Sequence, residues 1–132
     1  MLKGLNHVTL AVSDLQRSLA FYVDVLGMTP LAEWNDGAYL SLGGLWFCLS
    51  VDAVAPAQDY SHLAFDIEPA DFKVFRQRLA DNGVPEWKEN RSEGDSIYFL
   101  DPDGHKLEVH LGTLETRLKH LNEKPYDGLK WR

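Results

Sequence analysis

Leu5-Asn6-His7-Val8-Thr9-Leu10-Ala11-Val12 and Tyr60-Ser61-His62-Leu63-Ala64-Phe65-Asp66-Ile67 are the two stretches that decide the fold. Aligned on His7 and His62, both place apolar residues one, three and five positions later: Val8, Leu10 and Val12, then Leu63, Phe65 and Ile67. Alternation of period two is the signature of a β-strand with one apolar face. The opposite face carries His7, Thr9 and Ala11 in one copy and His62, Ala64 and Asp66 in the other.

The repeat extends outward from these strands. Ser13-Asp14-Leu15-Gln16 reads as a capping box, and Leu15, Leu19, Tyr22 and Leu26 follow at helical spacing before Gly27. In the second half Pro69 suits a first helical position, Phe72, Phe75 and Leu79 form the stripe, and Gly83 ends it. Strand-like runs then occupy 31–34, 38–42 and 45–50 in the first half, and 84–88, 96–100 and 106–111 in the second. The aperiodic segment Asp52–Asp59, with Pro56, joins the halves. A short helix is expected from Thr113, with Leu114, Leu118 and Leu121 on one face, and the tail beyond Lys124 looks irregular. These signals predict an α+β fold in one domain, 1–132. It consists of two βαβββ modules, at about 4–51 and about 60–112, with a C-terminal helix and tail over 113–132. Small and polar residues on one face of each sheet imply sheets curled around a cavity.

The composition narrows the function. The net charge of −7 disfavours nucleic acid and anionic membrane as partners. A hydrophobic content of 45% excludes disorder. The single cysteine excludes an intrachain disulfide and a multi-cysteine zinc site. No long apolar run opens the chain, so the expected location is cytoplasmic.

The final strand of the second half turns Leu107, Val109 and Leu111 to one side and Lys106, Glu108 and His110 to the other. His7, His62 and Glu108 thus form a candidate two-histidine, one-carboxylate centre. Such donors suit Mn²⁺, Fe²⁺, Zn²⁺, Ni²⁺ or Co²⁺ and leave positions open for a substrate. Each residue alone is more often structural. The joint occurrence carries the reading, because both histidines hold the same register of a repeat. Aligning Gly44 with Gly104 sets Cys48 opposite Glu108, either as a fourth ligand or as a small buried filler; Phe47 and Leu49 beside it favour the filler. His105 lies in a turn, and His110 and His120 have no repeat partner. Lys88, Arg91 and Arg117, with the hydroxyls of Ser92, Ser96 and Tyr98, suit a phosphate or phosphonate. The interleaved Glu86, Glu89, Glu93 and Asp95 fit a mixed-charge surface equally well. Oxygen atoms of the polar loop Asn90–Ser96 suit a hard cation. Asp101-Pro102-Asp103-Gly104 reads as a plain turn.

Longer motifs add a resemblance. These are Gly-Leu-Asn-His-x-Thr-Leu-Ala-Val at 4–12, Gly-Ala-Tyr-Leu at 37–40, Leu-Trp-x-Cys-Leu-Ser at 45–50 and Asp-Tyr-x-His at 59–62. A block from Trp87 to Glu108 completes the set: Trp-Lys-x-Asn-Arg-Ser-Glu-Gly-x-Ser-x-Tyr-Phe-Leu-Asp-Pro-Asp-Gly-His-Lys-Leu-Glu. Together they resemble the glutathione-dependent fosfomycin-resistance transferases of the vicinal oxygen chelate superfamily. The resemblance implies Mn²⁺ on His7, His62 and Glu108, and K⁺ on Asn90, Ser92, Gly94 and Ser96. It implies that Thr9, Lys88, Ser92, Tyr98 and Arg117 hold the phosphonate of fosfomycin. Trp46 would line the pocket near the oxirane, and Tyr39 would lie near the glutathione thiol, with Thr9 and Tyr39 as the catalytic pair. It further implies a homodimer in which His7 comes from a different subunit than His62 and Glu108.

Two other activities bear on the same residues. An epoxide hydrolase of this scaffold would add water and need a carboxylate base, for which Asp36 is the only acid near Tyr39 in sequence. A drug-sequestering binding protein would need no metal triad.

Overall fold

The computed structural model describes residues 1–132. The chain runs β1 (His7–Val12), α1 (Leu15–Leu19, continued by π-helical turns over Ala20–Val25), β2 (Thr29–Trp34), β3 (Gly37–Leu42) and β4 (Leu45–Val51). The second half runs β5 (Leu63–Asp66), α2 (Phe72–Asp81, entered through a 3-10 turn at Pro69–Asp71), β6 (Glu86–Lys88), β7 (Ser96–Leu100) and β8 (Lys106–His110). A last helix, α3, spans Leu114–Glu123. Each half therefore has the expected βαβββ order.

The two sheets share one topology, β1-β4-β3-β2 and β5-β8-β7-β6. In each, the first strand pairs in parallel with the last and the remaining pairs are antiparallel. Parallel neighbours need a crossover, which the helix and the hairpin strands supply. Register makes the duplication explicit. One cross-strand row of the first sheet holds Thr9, Cys48 and Tyr39, and the matching row of the second holds Ala64, Glu108 and Tyr98. The alignment that set Cys48 opposite Glu108 in sequence is thus present in the strand pairing.

The apolar faces of both sheets and the buried sides of α1 and α2 merge into one core. Val12, Tyr22, Phe47, Leu40, Phe99 and Leu107 are among its fully buried members. Contacts between the halves include Phe47 on Phe65 and Phe21 on Phe99. With the apolar faces spent on each other, the polar face of the first sheet looks outward. His7, Thr9, Tyr39 and Trp46 are exposed. Within one chain these first-sheet side chains stand open to solvent.

Three local expectations need correction. Asp14, not Ser13, caps α1: its carboxylate accepts from the Arg17 amide at 3.1 Å. Ser13 instead donates its backbone N–H and its hydroxyl to Asp103. The helix also widens after Leu19, where Leu26 N–H reaches Phe21 C=O in an i→i+5 bond of 2.9 Å. That phase shift lets adjacent residues, Phe21 and Tyr22, both face the core. In α3, Thr113 and Thr116 form a reciprocal capping box, but only Leu121 of the expected stripe is buried; Leu114 and Leu118 are exposed.

The turn at 101–104 does more than reverse the chain. Asp101 accepts from the buried Tyr22 hydroxyl at 2.7 Å and from the amides of Asp103 and His105 at 2.9 and 2.8 Å. Asp103 accepts from Ser13 and from Arg17, the latter at 3.1 Å. His105 Nε2 lies 2.7 Å from the Ala11 carbonyl, to which it donates as the Nε2–H tautomer. A turn of the second module is thereby pinned to the β1–α1 corner of the first. Burial, reinforced by the Asp101 charge, pushes the Tyr22 phenol far above its ordinary 10.0.

Tyr22→Phe is expected to cost about 1–3 kcal/mol, because it leaves the buried Asp101 carboxylate short of a donor; urea unfolding measures it. The raised Tyr22 value also sets a sign. Its stabilising effect is fully present below about pH 10, the unfolded value, and declines as the pH rises further. Chemical unfolding between pH 8 and pH 11 should show that alkaline slope shallower in Tyr22→Phe.

Candidate metal centre and substrate face

Glu108 lies buried on β8, and His62 stands immediately before β5. The parallel pairing of β5 with β8 brings them together, with His62 Nε2 2.9 Å from Glu108 Oε2. His62 Nδ1 donates to the Tyr60 carbonyl at 2.7 Å, which leaves Nε2 as the nitrogen turned toward Glu108 and placed to ligate an ion. Two adjacent ligands on an octahedral ion, each at ~2.1 Å, stand about 3 Å apart. The His62–Glu108 separation fits that bite, and neutral imidazole with carboxylate is a donor set for first-row divalent ions.

His7 is not with them. No group of three His, Cys, Asp or Glu side chains stands at metal-binding distance within one chain. The His7 ring lies on the other sheet, stacked on Trp46 at 4.5 Å between centroids, with Nδ1 held 2.7 Å from Asn6 Oδ1. Cys48 is buried in the row between Thr9 and Tyr39.

The remaining residues divide between the two faces. On the first sheet Tyr39 packs edge-on between Trp34 and Trp46, at 4.7 and 5.2 Å. These three rings are 46%, 39% and 40% exposed for Trp34, Tyr39 and Trp46, a large apolar area to leave in water. Thr9 lies beside them in the row of Tyr39. Asp36 is exposed in the β2–β3 turn.

On the second sheet Lys88 donates to the Tyr60 hydroxyl and lies over the rings of Tyr60 and Tyr98, at 4.5 and 4.8 Å. The bond to Tyr60 is the main cause that holds the Lys88 ammonium above its ordinary range, so it stays charged. Trp87 packs against His62 and donates its indole N–H to the Leu107 carbonyl at 3.0 Å. Arg117 pairs with Glu93, Nε to Oε2 at 3.2 Å. Its burial, the largest single effect, opposes the charged form, and only the bond to Glu93, the Tyr126 hydroxyl and the Glu93 charge together keep the guanidinium raised. In the polar loop, Asn90 donates to the Gly94 carbonyl at 2.7 Å and accepts from the Ser92 hydroxyl at 2.8 Å. Ser96 is turned away from that group. Its hydroxyl lies 2.7 Å from Glu108 Oε1 and 2.6 Å from His110 Nδ1.

Tyr60, Trp87 and His110 are members of this face that the sequence reading does not select. Strand alternation already puts His110 on the face of Glu108. Tyr60 and Trp87 carry no signal of their own, because the fold alone brings them to His62.

Comparison with known proteins agrees with this fold. A family described as the Glyoxalase/Bleomycin resistance protein/Dioxygenase superfamily matches residues 4–109. The chain is 55% identical to a glutathione transferase FosA of Serratia marcescens, over 98% of this chain and 95% of that protein. It is 43% identical to a metallothiol transferase FosB of Staphylococcus saprophyticus, over 96% and 89% of the two chains. Among solved structures it is similar, with TM-score 0.81 and 33% identity, to a glutamate-to-glutamine mutant of the fosfomycin resistance protein FosX from Listeria monocytogenes; 89% of this chain and 99% of that one are covered. That protein was crystallised with Mn(II) and 1S,2S-dihydroxypropylphosphonic acid. No helix of this chain is long and apolar enough to cross a membrane. By sequence and by fold, this chain belongs to the glyoxalase, bleomycin resistance protein and dioxygenase superfamily, in its group of Fos proteins.

Proposed function

We propose that this chain is a metal-dependent glutathione transferase that opens the epoxide of fosfomycin by thiol addition and so confers resistance to it. The observation that carries this reading is the His62–Glu108 pair, with Oε2 and Nε2 2.9 Å apart. It sits beside a charged lysine, and the matching sheet of the other module presents a histidine on an exposed aromatic face. The 55% identity to a glutathione transferase FosA favours glutathione as the thiol.

The exposed face is the reason to pair two copies. His7, Thr9, Tyr39 and Trp46 belong to the first sheet, and His62, Lys88, Ser92, Tyr98, Glu108 and Arg117 to the second module and the helix after it. Within a chain the first-sheet residues are exposed, while Tyr98 and Glu108 of the second sheet are buried; a homodimer setting the first sheet of one copy over the second of the other would cover the aromatic area. The same step brings His7 to the partner's half-site. Manganese is the ion we assign to His7, His62 and Glu108. Potassium is assigned to the loop oxygens of Asn90, Ser92 and Gly94, with Ser96 behind them.

The ion would supply Lewis acidity at the oxirane oxygen, easing departure of a poor leaving group. The chain's own residues do the rest. Lys88 and Arg117 neutralise the phosphonate, and the hydroxyls of Thr9, Ser92 and Tyr98 donate to its oxygens. Trp46 walls the pocket beside the epoxide. Held at both ends, the substrate presents one ring carbon to the incoming sulfur in line with the bond that breaks. Tyr39 hydrogen-bonds the thiol on the approach side. No covalent enzyme intermediate is needed, so Cys48 stays out of the reaction. The alternative hydrolase would need Asp36, an exposed residue of the β2–β3 turn, as its base.

With Mn²⁺ and K⁺ present, ³¹P NMR should show fosfomycin converted to a glutathione adduct. A diol formed without thiol would establish the hydrolase instead, and binding without product would establish sequestration. Mixing tests the shared site. His7→Ala and Glu108→Gln proteins are each expected to be inactive. Unfolded and refolded together, they should recover about a quarter of wild-type rate, because half the dimers are mixed and each has one intact site of two. No recovery would place all three ligands in one subunit.

A further inference from the structure

Glu108 Oε1, the carboxylate oxygen that does not face His62, is bonded at 2.7 Å to the Ser96 hydroxyl. A carboxylate only accepts, so Ser96 gives it its single proton. The same hydroxyl lies 2.6 Å from His110 Nδ1. With the serine proton committed, His110 Nδ1 must carry the hydrogen of that second bond. Cross-strand pairing sets the chain in place: Ser96 on β7 is directly opposite His110 on β8, and Glu108 is the next residue on that face. All three side chains are shielded, with Ser96 4% exposed, Glu108 6% and the His110 side chain 17%.

The backbone around the ring is built to admit it. A Cβ on Gly94 would stand 3.0 Å from His110 Cε1 and 2.3 Å from the Leu111 carbonyl; a Cβ on Gly112 would stand 2.9 Å from His110 Nε2. Both glycines have positive φ, +77° and +141°. The imidazole thus rests between two positions that only glycine fills without strain or collision. One of them belongs to the polar loop.

We propose that His110 is a positioning residue for the metal carboxylate. Acting through Ser96, its Nδ1–H ties down Glu108 Oε1 and leaves Oε2 alone beside His62 Nε2. The proposal rests on the assignment of His62 and Glu108 as ligands. It extends that assignment to a residue that touches neither ion nor substrate. A hydrogen-bonded partner behind a ligating carboxylate fixes its rotation, and loss of such a partner typically weakens metal binding about 10–100-fold.

Three variants test it: His110→Phe keeps the ring volume without a donor, His110→Asn returns an N–H near the Nδ1 position, and Ser96→Ala breaks the link itself. The readout is the Mn²⁺ dissociation constant from electron paramagnetic resonance of the free ion, with the zero-field splitting of bound Mn²⁺ and the thermal midpoint of the metal-free protein. We expect His110→Phe and Ser96→Ala each to weaken Mn²⁺ binding at least about 10-fold and to change the splitting. The double variant should lose little more than either single one, as members of one chain do. His110→Asn should bind within about 3-fold of wild type, which a purely space-filling histidine would not require. Should His110→Phe misfold, the Ser96→Ala and His110→Asn pair decides the matter. Wild-type Mn²⁺ affinity in Ser96→Ala, or a loss in His110→Asn equal to that in Ser96→Ala, would overturn the proposal. Failure of the wild-type protein itself to bind Mn²⁺ would instead remove the ligand assignment on which the proposal stands.

Discussion

The pinning of the 101–105 turn against the β1–α1 corner is the constraint from which the rest of the molecule follows. Asp101 takes a buried phenol and two amides, and Asp103 takes a serine and an arginine of the other module. These bonds hold the two βαβββ units with their apolar faces joined. Once the greasy sides are committed to each other, each sheet has only its polar side left to offer. A module pair arranged in this way builds one core and leaves the two candidate half-sites on separate sheets.

That geometry explains why the proposed metal donors are split. His62 and Glu108 come within ligand spacing because parallel neighbours β5 and β8 set them side by side. His7 holds the equivalent place in a sheet that faces elsewhere. The aromatic cluster Trp34, Tyr39 and Trp46 is costly to expose, and covering it in the proposed dimer would supply the driving force to complete the centre. In the proposed dimer, burial of apolar area and assembly of the metal shell are the same event.

Much of this is legible in the chain. The register of the two histidine strands, the βαβββ order and the match of Cys48 with Glu108 follow from alternation and turn residues, which are local signals. What fails to show is decided at long range. Ser13 and Asp14 are both competent helix caps, and only the distant Asp103 determines that Ser13 is drawn elsewhere. The π-helical widening leaves no mark in apolar spacing, and the bond from Tyr22 to Asp101 within it joins residues far apart in sequence. The turn at 101–104 is sufficient in itself as a sequence, since a turn motif says nothing about what it docks against. His110 lacks a repeat partner and so escapes a search by symmetry, because the duplication is only approximate on the face where chemistry is placed.

That approximation has an electrical meaning. Duplication would put a second carboxylate where Cys48 stands, in the row of Thr9 and Tyr39. Two neutral imidazoles and one carboxylate leave a divalent ion with a residual positive charge, whereas a fourth, anionic donor would bring the assembly to neutrality. With a cysteine rather than a carboxylate at that point, the proposed centre would stay attractive to a doubly ionised phosphorus acid, in a protein whose overall charge would otherwise repel it.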